Sequence, residues 1–174
     1  MNVQEATTRR LPDLKGRYLP ENCRETINTI LKETYGYEQF RNLEIYDDLS
    51  KGKEKLCISQ GQLIENVILE AEKAWKGETQ VDNILLTAPT GSGKSLLFQL
   101  PAIYLGKEYN LLTIVVSPLK ALIVDQVESL QELGYTRVAY ASSDLSPEQK
   151  MEVYRQVREG EIDLFYLSPE VSIR

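Results

Sequence analysis

The 174-residue sequence contains no histidine, only two cysteines and no long apolar run. Without an imidazole, a histidine-dependent catalytic triad is excluded, and the isolated Cys23 and Cys57 do not form a zinc-like cluster. No apolar stretch approaches the roughly eighteen residues of a membrane span, and Met1 to Glu5 lacks the charged start and apolar run of a signal peptide. We therefore expect reduced thiols, no membrane partner and a cytoplasmic location.

Negative charge exceeds positive charge, with a formal net charge of −6 at pH 7, and 42% of the residues are hydrophobic. The apolar content is enough for a real core. The acidic balance argues against a free-standing nucleic-acid binder, which usually presents a basic face. It does not exclude a motor that grips phosphates through loops and helix ends.

The most informative stretch is the octapeptide 88–95, which fits a phosphate-binding P-loop. Its residues are Ala88, Pro89, Thr90, Gly91, Ser92, Gly93, Lys94 and Ser95. Gly91 and Gly93 let backbone N–H groups approach phosphate oxygens at the positive end of the following helix. Lys94 supplies charge for the β and γ phosphates, and the Ser95 hydroxyl is placed to bind Mg²⁺. The motif predicts binding of a nucleoside triphosphate.

From residue 83 onward, apolar strand patterns alternate with helical patterns. We predict strands over 83–88, 112–117, 137–141 and 162–167, and helices over 94–106, 119–133 and 147–159. This alternation is typical of an α/β fold with a parallel sheet covered by helices on both faces. Upstream, we predict a loosely ordered lead-in over 1–20, a helix over 21–34, a turn-like and polar stretch to about residue 56, and a helix from Gln60 to about Trp75.

A second motif follows the second predicted strand, where Ser117 and Pro118 precede the helical pattern that runs through Val127. Parallel sheets bind ligands at the carboxyl ends of their strands, so this loop is expected beside the phosphate site. Taken alone, Ser117 would suit a strand-to-helix turn as an N-cap. Asp125 and Gln126 are interpreted as part of a solvated helix face.

Together, the stretches 88–95, 117–127 and 166–170 resemble the first motor domain of superfamily 2 helicases, in the RecQ-like and DEAD-box-like branch. The resemblance implies a RecA-like P-loop domain that binds ATP and Mg²⁺, with Lys94 in the catalytic machinery. It also implies nucleic-acid backbone contacts, to DNA or RNA, from Ser117, Pro118, Leu119 and Ser168. The expected organisation is a lead-in over 1–20, a helical segment with an adenine-recognition region over 21–80, and the partial ATP-binding domain over 81–174.

The family's adenine-recognition glutamine leaves two alternatives open. The aromatic stretch 35–41 resembles the start of the RecQ-like version, but Glu44 stands where a glutamine is expected, and a carboxylate cannot both donate and accept. Gln60 has Ile64 four residues on, which is the family's spacing. Gln62 is also a candidate, although Ser59 and Gln62 form a capping-box pattern. The segment between Arg41 and Gln60 is interpreted as an insertion.

A helicase motor also needs an acidic motif and an Arg from a second domain. Asp163 lies inside a predicted strand without the second acid that such a motif requires. We therefore expect a domain that is incomplete at its C-terminus, needs a C-terminal helicase domain as its partner and is inactive alone. The alternative is a non-catalytic nucleotide- or partner-binding module. A small P-loop kinase is disfavoured because no Arg-rich lid is visible between Lys107 and Arg174.

Overall fold

The computed structural model describes residues 20, 22–46, 55–87 and 90–171. Within these ranges, no helix is long and apolar enough to cross a membrane. The elements in chain order are α1 (Glu25–Tyr35), β1 (Asn42–Tyr46), β2 (Lys55–Ser59), α2 (Gln60–Trp75), α3 (Leu96–Tyr109), β3 (Thr113–Val116), α4 (Lys120–Glu132), β4 (Val138–Ala141), α5 (Pro147–Arg158) and β5 (Leu164–Leu167).

The central sheet has three parallel strands in the order β3-β5-β4. One face packs on α3 and α4 through Leu164 and Tyr166, which join the main core with the apolar sides of α1 and α2. On the other face, Ala139 and Phe165 pack against α5. Buried parallel strands need cover on both sides because each strand is apolar on both faces. The predicted α/β class and the helices on both faces are therefore confirmed.

The predicted strand over 83–88 is wrong for its described residues, because 83–87 belong to no strand. Leu85 in this segment is 72% exposed. Within the described ranges, the outer edge of β3 also pairs with no strand, and Ile114 and Val116 are each more than half exposed. An apolar strand sequence forms a strand only where a neighbour accepts its backbone hydrogen bonds. Among the residues that the structure describes, no strand pairs with 83–87.

The polar stretch predicted to run to residue 56 instead contains two strands. β1 and β2 pair antiparallel, from Asn42 opposite Ser59 to Tyr46 opposite Lys55. The interpretation of 41–60 as an insertion thus corresponds, in its described parts, to the two arms of a hairpin. The hairpin leads straight into α2, whose predicted span is confirmed.

Helix starts follow local side-chain chemistry. Ser59 with Gln62, and Ser146 with Gln149, form complete capping boxes, as their spacing predicts. The first helix begins at Glu25 rather than at residue 21, with Arg24 as its N-cap residue. The lead-in predicted over 1–20 lies outside the described residues apart from Pro20.

A buried ionic network, which we call the Arg24 network, holds α1 against α2 and α3. The Arg24 guanidinium lies 2.6 Å from Glu65 Oε1 and 2.5 Å from Glu72 Oε1, and it also donates to Tyr104 Oη. Tyr109 Oη donates to Glu72 at 2.9 Å. The hydrogen bond from Arg24 holds the pKa of Glu72 below its ordinary value, although burial acts in the opposite direction. The network fixes the helices that frame the P-loop.

Candidate nucleotide site and nucleic-acid edge

The P-loop leads directly into α3. Gly91 and Gly93 adopt positive φ angles of 81° and 76°, as the motif requires. Lys94 is exposed, and the Ser95 side chain makes no capping hydrogen bond to the helix that follows. Ala88 and Pro89 lie outside the described residues. The described part of the loop thus has the two positive-φ glycines that the predicted motif requires, directly before the N-terminus of α3.

Gln60 connects this loop to the preceding hairpin. Its Nε2 donates to the Ser92 carbonyl at 3.1 Å, and its Oε1 accepts from the Arg41 N–H at 3.1 Å. The side chain is 2% exposed. Gly93 has a φ of 76°, and a Cβ there would lie 2.6 Å from Gln60 Nε2, so any other residue would strain the backbone and displace the Gln60 amide. Gln60 is therefore a direct neighbour of the P-loop backbone.

Gln62 points away from the loop. Its Oε1 accepts from the Ser59 N–H at 3.0 Å, which completes the capping box, and its Nε2 donates to the Pro20 carbonyl at 3.1 Å. One end of the amide therefore caps α2, and the other end holds the segment before α1. Of the two glutamines left open by the sequence, Gln60 is the one in contact with the P-loop.

A cavity of about 830 Å³ joins the P-loop to the carboxyl end of β3. Lys94 and Ser95 line it from the P-loop, Ser117 from the end of β3, and Gln126 and Tyr166 from α4 and β5. Apolar side chains of α2 and of the segment 81–86 form much of the remaining wall. A mainly apolar cleft with a few convergent polar groups is typical of a small-molecule site.

The motif after β3 forms a tight turn. The Ser117 N–H donates to the Leu167 carbonyl at 3.0 Å, and its hydroxyl accepts from the Leu119 N–H at 3.3 Å. The N-cap residue of α4 is Leu119, so the interpretation of Ser117 as the N-cap itself is wrong by two residues. Pro118 is exposed and Leu119 is 62% exposed. This turn presents an open surface beside the cavity.

Ser168 lies on the same edge but below the surface. It is 0% exposed, and its N–H donates to the Ala141 carbonyl at 3.1 Å. Of the two residues that follow it, Glu170 is the exposed one. The structure brings Ser117 to the cavity with Lys94 and Ser95, but it does not bring Ser168 there.

The sequence patterns did not single out a hydrogen-bonded set behind the cavity. Gln99 Nε2 donates to Gln126 Oε1 at 2.8 Å and lies 3.1 Å from Tyr166 Oη, while Tyr35 Oη donates to Gln99 Oε1 at 3.0 Å. Gln126 is thus half-buried and bonded, whereas its neighbour Asp125 is exposed as predicted. The sequence signal for this set was Gln99, an amide within the otherwise apolar stretch 96–103 of α3.

The described residues offer few metal ligands near the P-loop. No group of three or more His, Cys, Asp or Glu side chains lies close enough to hold a metal ion within the described ranges. The Ser95 hydroxyl remains a suitable oxygen donor because it lines the cavity and does not cap α3. Mg²⁺ commonly takes one or two protein oxygens together with phosphate oxygens and water, so this donor set fits a nucleotide-bound Mg²⁺.

Comparisons with known proteins agree with this geometry. The family model described as DEAD/DEAH box helicase matches residues 60–173. The chain is 33% identical over 147 residues to an ATP-dependent DNA helicase RecQ of Synechocystis sp., covering 84% of this chain and 24% of that protein. It is 32% identical over 145 residues to a RecQ protein of Haemophilus influenzae, covering 83% of this chain and 18% of that protein. It thus spans about a quarter or less of the length of these relatives.

Proposed function

Because the chain belongs to the DEAD/DEAH box helicase family, matched over residues 60–173, we propose that it is the ATP-binding part of an ATP-dependent DNA helicase of the RecQ type. Family membership confirms the resemblance drawn from the three motifs. The single observation that supports the nucleotide site best is the cavity that holds Lys94, Ser95 and Ser117 together. A strand-end site of this kind allows nucleotide and nucleic acid to bind side by side.

In this proposal, Lys94 neutralises the β and γ phosphates and the backbone N–H groups of the P-loop bind phosphate oxygens. The Ser95 hydroxyl is the protein ligand for Mg²⁺, which, when bound, shields phosphate charge. The exposed Lys94 side chain suits a ligand that arrives from solvent. Thr90 and Ser92 complete the described part of the loop, and Ala88 and Pro89 belong to the same predicted site.

The phosphate role is tested by titrating a fluorescent ATP analogue into the chain. Lys94→Ala is expected to weaken binding by at least about tenfold, since it removes a charge-assisted phosphate contact. Lys107→Ala, in the last turn of the same helix α3, is the matched control because it removes an exposed lysine away from the cavity. Equal affinities of the two variants would contradict the proposal.

We also propose that Gln60 provides adenine selectivity. Its amide keeps one further N–H and one further lone pair beyond the bonds to Ser92 and Arg41, and adenine needs one donor and one acceptor. Gln60→Glu should therefore reduce the preference for ATP over GTP. Gln62→Glu is the control, because a glutamate also completes a capping box. A larger loss of preference from Gln62→Glu would assign the role to Gln62 instead.

The turn Ser117, Pro118 and Leu119 is proposed to contact the nucleic-acid backbone, and the buried Ser168 to support the adjacent loop. Contacts of this type position a strand without reading its sequence. The proposed nucleic acid is DNA, because the relatives described above are DNA helicases. Competition between single-stranded DNA and RNA of the same length tests this choice, and a preference for RNA would contradict it.

The isolated chain is expected to bind ATP without turning it over, and hydrolysis is proposed to need a C-terminal helicase domain. Phosphate release, measured with and without single-stranded DNA, tests it. Sustained release by the chain alone would contradict it, whereas nucleotide binding with no effect of DNA would favour the alternative of a non-catalytic binding module.

A further inference from the structure

Three loops meet at the carboxyl edge of the sheet, and one lysine joins them. Lys120 begins α4, directly after the turn of Ser117, Pro118 and Leu119. Its ammonium group lies 2.9 Å from Asp144 Oδ1 in the loop after β4 and 3.4 Å from Glu170 Oε1 in the loop after β5. It also donates to the Ser143 hydroxyl. We call this set the Lys120 brace.

Ser143 connects the two carboxylates of the brace. The Ser143 hydroxyl donates to Glu170 Oε1 at 3.3 Å and is equally close to Asp144 Oδ1. The Lys150 ammonium reaches the Ser143 carbonyl at 3.5 Å from α5. The ends of the strands are already joined by backbone bonds, from Ser117 to Leu167 and from Ser168 to Ala141. The brace adds side-chain connections above these strand ends.

The charges of the brace do not suit Lys120 as a phosphate ligand. One ammonium faces two carboxylates, so the three groups sum to a net charge of −1. The hydrogen bond that Lys120 donates to Asp144 raises the pKa of Lys120 and holds the pKa of Asp144 below its ordinary value. A lysine that already has two anionic partners gives little attraction for a third.

We propose that Lys120 is a positioning residue, which holds the loops after β3, β4 and β5 in one arrangement so that the turn of Ser117 to Leu119 can receive a nucleic-acid strand. This inference rests on the proposed function of that edge. It predicts that substitution of Asp144 or Glu170 weakens binding of the strand, as substitution of Lys120 does, since each substitution removes a connection of the brace. If Lys120 were instead a phosphate ligand that the carboxylates mask, removing them would strengthen binding.

The brace is tested first in the free protein, by hydrogen exchange of backbone amides. Lys120→Met should speed exchange in peptides that contain residues 142–146 and 168–171, because these loops lose their shared partner. Lys120→Arg should restore slow exchange, since a guanidinium can bond both carboxylates. Lys107→Met is the control for loss of an exposed lysine elsewhere. Unchanged exchange in Lys120→Met would overturn the proposal.

The consequence for binding is tested with a fluorescein-labelled single-stranded DNA at several salt concentrations. We expect Lys120→Met, Asp144→Asn and Glu170→Gln each to weaken binding by about three- to tenfold, and the slope of log affinity against log salt to stay unchanged. Loss of a phosphate contact would lower that slope by about 0.7. A lower slope in Lys120→Met, or tighter binding by Asp144→Asn, would overturn the positioning role.

Failure of the proposed function and failure of the positioning role give different results. If the wild-type chain does not bind the DNA, the nucleic-acid part of the proposed function is wrong, and this inference falls with it. If the wild-type chain binds and the three variants behave like Lys107→Met, the proposed function stands and only the positioning role is wrong.

Discussion

The Arg24 network and the Lys120 brace use the same chemistry in different surroundings. In each, one cation faces two carboxylates from other elements of the chain. The Arg24 side chain is 23% exposed and its partners Glu65 and Glu72 are 8% and 11% exposed, whereas Lys120, Asp144 and Glu170 are 37%, 68% and 45% exposed. Breaking a buried pair leaves a charge without water, while exposed pairs are screened. The first network should therefore determine stability, and the second only local geometry.

The largest expected effect comes from removing the cation that pairs with the buried Glu65 and Glu72. Arg24→Met should lower the free energy of unfolding by about 3 kcal/mol, because Glu65 and Glu72 lose their partner inside the protein. Arg155→Met is the matched control. Arg155, too, is an arginine paired with carboxylates, those of Glu152, Glu159 and Glu161, but it lies on the exposed face of α5. Urea denaturation followed by circular dichroism measures both variants. Equal losses of unfolding free energy in the two variants would show that burial does not decide how much these ion pairs contribute to stability.

The reaction rates of the two cysteines offer a second test of the difference between the Arg24 network and the exposed surface. Cys23 lies beside Glu65 in the Arg24 network, and burial, with the Glu65 charge, raises the pKa of its thiol to about 12. Cys57 is exposed on β2. At pH 8, Cys57 should react with iodoacetamide at least about 100-fold faster than Cys23, because the thiolate is the nucleophile. Mass spectrometry of peptides from the labelled protein measures both rates. Similar rates would mean that the Arg24 network does not protect the Cys23 thiol.

Acid should weaken the buried network in a defined pH range. The pKa of Glu72 is lower in the folded protein than its ordinary value of 4.5. The stabilisation is therefore fully present above pH 4.5 and is lost as the pH falls through the lower, folded-state pKa. Urea midpoints between pH 7 and pH 3 should decline more steeply in the wild type than in Glu72→Gln. Parallel declines would assign the acid sensitivity to other carboxylates.

The smallest expected effect on stability is that of Lys120→Met. Its urea midpoint should equal that of the wild type, since exposed ion pairs contribute little net free energy. The same measurement on Arg24→Met provides the contrast. A clear drop in the Lys120→Met midpoint would mean that the brace is part of the folding core and not only of the loop surface.

Local chemistry made much of the fold predictable. The capping boxes at Ser59 and Ser146 set the starts of α2 and α5, and both were visible as a Ser followed three residues later by Gln. The positive φ angles at Gly91 and Gly93 follow from the P-loop pattern in the same way. These features depend on residues close together in the sequence.

What could not be predicted depends on partners distant in the sequence. The segment 83–87 has a strand-like composition, but strand formation needs a neighbour, and the sequence does not say whether one is beside it. The contact between Gln60 and the P-loop could not be predicted either, because its partner Ser92 is 32 residues away in the sequence. The Lys120 brace joins three loops, and no spacing in the sequence indicates their approach.

The edge of β3 that pairs with no other described strand has a consequence for handling the protein. Strands with unpaired backbone groups and apolar side chains readily pair with strands of other molecules. In β3, Ile114 and Val116 are exposed at such an edge, and the strand contains neither a charged residue nor a proline to discourage pairing. We therefore expect self-association through this edge, rather than unfolding, to limit the concentration at which the chain stays monomeric.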